Sequence, residues 1–128
     1  MSRTLVDAWF AAMRRGAKGE EELLALFHDD AEYVEPFSGE PRLHVGKEAI
    51  RACLRQGWEQ PMPDLELTVD RVDVDGARVR AEWTCSTSAW PNAISGVDLY
   101  TLRDGRISRL ETTLPAPGET PPEPPPSR

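Results

Sequence analysis

The stretch DDAEYVEPFSGEPRLHVGKEAIRACLRQ, Asp29 to Gln56, decides how the chain is read. It opens on two aspartates and runs through a strand-like Glu32-Tyr33-Val34-Glu35. It breaks at Pro36, which has no N–H to give a ladder. A Gly/Pro-rich loop, with His44 in its Pro41–Gly46 part, leads to a helix opened by Gly46 and spanning about Lys47 to Trp58. Ile50, Cys53 and Leu54 make the buried face of that helix, and Arg51 and Arg55 the exposed one. Glu35 stands at the strand-to-loop break, between the aromatic Tyr33 and Phe37. A carboxylate there is either a wet strand end or a base at the mouth of a pocket.

Toward the N-terminus, Thr4 followed by Asp7 fits a helix start. Leu5, Ala8, Trp9 and Ala12 recur at helical spacing. Arg14 and Arg15 suit the helix C-terminus and Gly16 its stop. A second helix is expected from Glu20 to His28. Its first turn holds three glutamates, which the helix dipole favours, and Leu23, Leu24, Leu26 and Phe27 form its buried side. The first strand follows Asp29-Asp30.

Toward the C-terminus, Gln60-Pro61-Met62-Pro63-Asp64 is a connector. From Leu65 the period changes to two: Leu65, Leu67 and Val69 alternate with Glu66, Thr68 and Asp70. Asp75-Gly76 and Asp104-Gly105 are hairpin turn signals. Between them, Val79, Ala81, Trp83 and Cys85 share one strand face, with Arg78, Arg80 and Glu82 on the other. A further strand runs from about Ser95 to Arg103 and a last one from Arg106 to about Leu114. The alternation slips at Arg71 to Val74, where a bulge would bend the sheet. The segment PAPGETPPEPPPSR, 115–128, is half proline and reads as a disordered or polyproline-type tail after a domain spanning 1–114.

Helices first and antiparallel strands later argue an α+β fold, a cone-shaped curved antiparallel sheet wrapped around three N-terminal helices. The 128 residues suit one domain. A net charge of −7 argues against a nucleic-acid partner, because phosphate binding needs clustered positive charge. No apolar run approaches the ~18 residues of a membrane span. The N-terminus has no long apolar signal core, so a cytoplasmic location is expected. Two cysteines, Cys53 and Cys85, without a CxxC or ligand-like spacing to the two histidines, argue against a zinc site or disulfide framework.

The element order, Asp29 to Gly57 and GVDLYTLRDGRI (Gly96 to Ile107) resemble the nuclear-transport-factor-like superfamily, in particular its SnoaL-like and steroid Δ5-3-ketoisomerase branch. The resemblance covers about Thr4 to Leu114. It implies a pocket between sheet and helices, a small hydrophobic molecule as partner, no metal or organic cofactor, and a homodimer through the outer sheet face. It also implies that Glu35, preceding Pro36, is the proton-shuttling base, although that branch usually has aspartate there. Asp98 matches a protonated acid that donates a hydrogen bond to the developing oxyanion. The family's helix-one tyrosine has no counterpart. Trp9 stands there, or Ala11 if the following loop is gapped differently, and no tyrosine precedes Tyr33.

The residues support a site independently. Asp98 lies among Val97, Leu99, Tyr100 and Leu102, where ionisation is costly if it faces inward, and Tyr100 shares its face. A neutral Asp98 and an ionised Glu35 would make an acid/base pair. The alternative is a solvent-facing or backbone-bonding Asp98 and a surface Glu35. His44 could shuttle protons or be a plain loop residue. Trp9, Phe27, Tyr33, Phe37, Trp58, Met62, Trp83, Trp90 and Leu110 are candidate pocket lining, with ordinary core the alternative for most of them, and Trp83 in particular reads as core or interface. The expected activity is ketosteroid-isomerase-like proton transfer on a small hydrophobic carbonyl compound. The alternatives are a polyketide-cyclase-like or dehydratase-like enzyme and a non-catalytic binding module. For the homodimer, Val97 and Leu99 set against Leu102 and Leu110 supply apolar residues on both faces of the last strands.

Overall fold

A computed structural model describes residues 2–37, 39–59 and 62–114, so the proline-rich stretch lies outside the described residues. Helix α1 (Ser2–Arg14) is followed by a 3-10 turn (Gly16–Gly19), α2 (Glu20–Ala25), β1 (Phe27–Glu35), β2 (Arg42–Val45) and α3 (Lys47–Gly57). Four strands complete it: β3 (Glu66–Asp75), β4 (Arg78–Ser86), β5 (Ile94–Arg103) and β6 (Arg106–Thr113). They form one curved, unclosed sheet in the order β2-β1-β6-β5-β4-β3, with the helices packed on it in a cone-like α+β arrangement. All ladders are antiparallel except β1 with β6, which is parallel. No helix among the described residues is long and apolar enough to cross a membrane.

Three register shifts bend the sheet. One lies between Val69 and Arg71, at the front of the segment where the alternation slips; the others lie between Phe27 and Glu32 and between Thr101 and Leu102. The β5–β6 turn holds Asp104 at φ 54° and Gly105 at φ 79°, the left-handed pair that matches the twist of a hairpin.

Helix α1 buries Leu5, Val6, Trp9, Phe10 and Ala12 against the sheet. Ala8, expected on that face, is exposed; the stripe is turned so that Val6 and Phe10 share it with Trp9. Helix α2 ends three residues earlier than its apolar spacing suggests. Phe27 and His28 belong to β1: Phe27 pairs with Ile107, and the Ile107 N–H donates to the Leu26 carbonyl at 2.8 Å. A six-residue helix has little stability of its own, so capture of its end by β6 decides the boundary. Glu20 anchors α2 to α3. Arg55 and Arg51 bond it and hold its carboxyl down at about 2.

His44 lies on a strand and not in a loop. Strand β2 pairs with the end of β1, Tyr33 opposite His44 and Glu35 opposite Arg42. Leu43 and Val45 are exposed, so this edge strand lacks the half-buried apolar alternation that marks a strand in sequence. Gly46 then turns the chain into α3 at φ 90°, ψ 155°, a conformation that is essentially glycine's alone, and its N–H donates to the Ala31 carbonyl.

Candidate functional site

Two buried carboxyls lie on the helix-facing side of the sheet. Glu35, at the end of β1, is 1% exposed. Side chains two apart on a strand share a face, so Arg42 and His44 of β2 both come to the side of Glu35. The Phe37 N–H donates to Oε1 at 2.8 Å. Oε2 accepts from Arg42 Nε and from His44 Nε2, each at 2.9 Å, and Arg42 Nη2 lies 2.8 Å away. An ionised carboxylate only accepts, so the His44 Nε2–H is the donor in this pair. From α3 the Cys53 thiol completes the cluster: one ligand atom each of Glu35, His44 and Cys53 lie within 4.8 Å of one another. Burial pushes the Glu35 carboxyl up, but His44, the Phe37 N–H and Arg42 outweigh it and hold it below its ordinary value. Burial and the neighbouring Glu35 push the Cys53 thiol up to about 11.

Asp98, on β5, is 4% exposed. Oδ1 accepts from Trp83 Nε1 at 3.0 Å and from the Thr112 hydroxyl at 2.7 Å, and Oδ2 accepts from the Tyr100 hydroxyl at 3.0 Å. Burial pushes its carboxyl above the ordinary value despite these three donors. The two carboxyls are not in contact. Asp98 stands opposite Thr112, and continuing the β1–β6 register past Val34 and Glu111 sets Glu35 on the other side of Thr112. Two strand spacings give a separation of roughly 10 Å. Tyr33 links the clusters: its phenol bonds Thr112, its ring centroid is 6.2 Å from that of His44, and burial together with Asp98, Cys53 and Glu35 keeps it protonated.

The remaining expected site residues divide. Tyr100 is buried on Asp98, and His44, a side chain 18% exposed, reaches Glu35 from β2. Trp9 points inward but packs edge-on against Phe27, Tyr33 and Tyr100, and Leu110 is fully enclosed; both are core. Phe37 is 60% exposed and contributes its backbone rather than its ring. Trp58 lines a surface groove of about 530 Å³ between α2 and α3, with Lys18, Glu20, Glu21 and Arg55, away from both carboxyls.

Arg42, Cys53 and Thr112 are not among the expected site residues, and Trp83 is expected as lining, core or interface and not as a donor to Asp98. Trp83 had a usable signal. It shares its strand face with Ala81, and a buried indole N–H needs an acceptor. Arg42 and Thr112 had none, because strand register alone brings them in.

A model of the SnoaL-like domain matches residues 6–110. No curated protein matches the chain significantly. Among solved structures, a protein of Kribbella flavida DSM 17836 provisionally named a ketosteroid isomerase is 26% identical (TM-score 0.71; 94% of this chain and 82% of the other covered). A protein of Sinorhizobium meliloti provisionally named a polyketide cyclase is 22% identical (TM-score 0.71; 86% and 94% covered). TerC, co-crystallised with polyporic acid, is 22% identical (TM-score 0.73; 88% and 89% covered). With the family model matched over most of its length and the fold shared with these structures, the chain belongs to the SnoaL-like domain family.

Proposed function

We propose that this chain is an acid/base enzyme that moves a proton on a small hydrophobic carbonyl compound without an organic cofactor, in the manner of a ketosteroid isomerase. One observation carries the reading: two buried carboxyls on one sheet face are displaced in opposite directions, Glu35 down and Asp98 up. Environments that push two carboxyls apart in this way mark an acid/base pairing.

The contacts refine those roles. Both Glu35 oxygens are occupied and its carboxyl is held down, which makes it a weak direct base. It is well placed to orient His44, whose second ring nitrogen is then the group that takes the substrate proton. Tyr33, kept protonated and beside His44, donates to the substrate oxygen. Removing a positioned acid/base group lowers turnover by roughly 10²–10⁴-fold. With a substrate found among steroid enones and polyketide intermediates, Glu35→Gln and His44→Gln are expected to lose that much. Unchanged turnover in both variants would refute the assignment. Product identity separates isomerisation from cyclisation or dehydration.

A binding module is the second reading. Every Asp98 hydrogen bond described is made within the protein, and Trp9 packs on Tyr33 and Tyr100. Saturable binding of these compounds with no turnover would favour it. We also propose a homodimer through the outer sheet face, supported by Leu99, which is 42% exposed there; Leu110 faces the core and takes no part.

A further inference from the structure

We propose that Glu35 Oε2, His44 Nε2 and Cys53 Sγ form a binding site for a divalent transition metal ion of the zinc class, with solvent as the fourth ligand. The observation is the convergence of three different donor types from β1, β2 and α3, their ligand atoms all within 4.8 Å of one another. Around a tetrahedral zinc with bonds of ~2.0–2.3 Å, ligand atoms stand roughly 3.3–3.8 Å apart. The Glu35–His44 pair at 2.9 Å therefore opens slightly, and Cys53 closes by at most about 1 Å. A thiolate, an imidazole and one carboxylate suit zinc, cobalt or nickel and disfavour calcium and magnesium, which take oxygen ligands.

The surroundings support a metal shell. The Phe37 N–H on Oε1 leaves Oε2 as the ligand and fixes the carboxylate plane, the part an outer-shell donor plays. Arg42 competes for Oε2, but its side chain is partly exposed and can turn out to solvent. Binding is an exchange of protons for metal. The Cys53 S–H proton leaves to buffer as the metal–sulfur bond forms, Glu35 stays ionised, and the His44 proton moves from Nε2 to the other ring nitrogen. Nothing is oxidised or reduced. An ion here would withdraw Glu35 and His44 from proton transfer, but the site does not depend on the enzymatic reading, because its test needs no turnover.

Full-length, untagged, metal-free protein is titrated with Co²⁺ and followed by absorption, then back-titrated with Zn²⁺. The expected result is one equivalent bound, with tetrahedral d–d bands and a near-ultraviolet sulfur-to-cobalt charge-transfer band, displaced by Zn²⁺. Cys53→Ser abolishes the charge-transfer band and weakens Zn²⁺ binding at least about tenfold, the least that loss of even an outer-shell partner causes. His44→Gln weakens binding similarly, Arg42→Gln strengthens it, and Cys85→Ser leaves it unchanged. Absence of the charge-transfer band in the unsubstituted protein overturns the proposal. So does its survival in Cys53→Ser, or its loss in Cys85→Ser.

Discussion

Replacing Gly96 by alanine should destabilise the protein by displacing the indole that holds Asp98. Gly96 lies opposite Trp83 in the β4–β5 ladder, and the indole crosses over it to reach Oδ1. A methyl group at position 96 would sit 2.3 Å from Trp83 Cζ2, 2.7 Å from Cη2 and 2.8 Å from Cε2. Real carbons do not approach so closely, and Trp83 is buried, so the ring must move. Overpacking of this kind costs about 1–3 kcal/mol, and loss of the indole hydrogen bond to a buried acceptor about 1 kcal/mol more. The sum, roughly 2–4 kcal/mol, lowers the urea midpoint by about 1–2 M for a domain of this size. Urea titration gives the energy. The exchange rate of the Trp83 indole N–H, read by NMR, reports whether the bond to Asp98 is lost. The decisive arm is Trp83→Leu, whose shorter side chain vacates the space over Gly96. In that background Gly96→Ala should cost under about 1 kcal/mol, a coupling within the usual range for touching residues. An equal cost in both backgrounds, or an indole N–H as protected as before, would refute the steric argument.

Two further outcomes are expected. Burial holds the Asp98 carboxyl above its ordinary value of 3.8, so its contribution to stability is complete below that pH. As pH rises from there through the folded-state value, the unfolded chain ionises first and the contribution is lost. Asp98→Asn keeps the shape and removes this slope. The stability difference between the two proteins, measured by urea titration at several pH values, should shift in favour of the asparagine variant as pH rises; a difference independent of pH would contradict the burial argument. The outer-face dimer predicts a two-chain mass by light scattering at micromolar concentration, and a shift toward the single chain for Leu99→Lys. A monomeric unsubstituted protein would rule it out.

How legible this protein is in its sequence follows from where each signal arises. The period-two strands β3 to β6 and the Asp-Gly turns are local patterns repeated over many residues, and they mark real elements. The end of α2 was not legible, because Leu26 and Phe27 suit a helix face as well as a strand, and β6 settles the choice. Strand β2 was hidden because its apolar residues Leu43 and Val45 face outward and only a histidine and an arginine face in. Asp98 was legible as a carboxyl in an apolar strand, and its burial and raised carboxyl follow.

Apart from β2 and the end of α2, the chain order of helices, strands and turns, and with it the α+β class, belongs to the sequence by itself, because hydrophobic period and turn chemistry are properties of neighbouring residues. The partners of Glu35 and Asp98 that lie far off in sequence belong to the tertiary structure alone. Arg42, His44 and Cys53 reach Glu35, and Trp83 and Thr112 reach Asp98, through β-register and helix packing, whereas Phe37 and Tyr100 are neighbours two residues on. A one-residue slip of β2 or β4 would turn their site side chains to the opposite face. Long-range register, by bringing in His44 and Arg42, holds the Glu35 carboxyl below its ordinary value although burial pushes it up, a direction that its own strand does not encode.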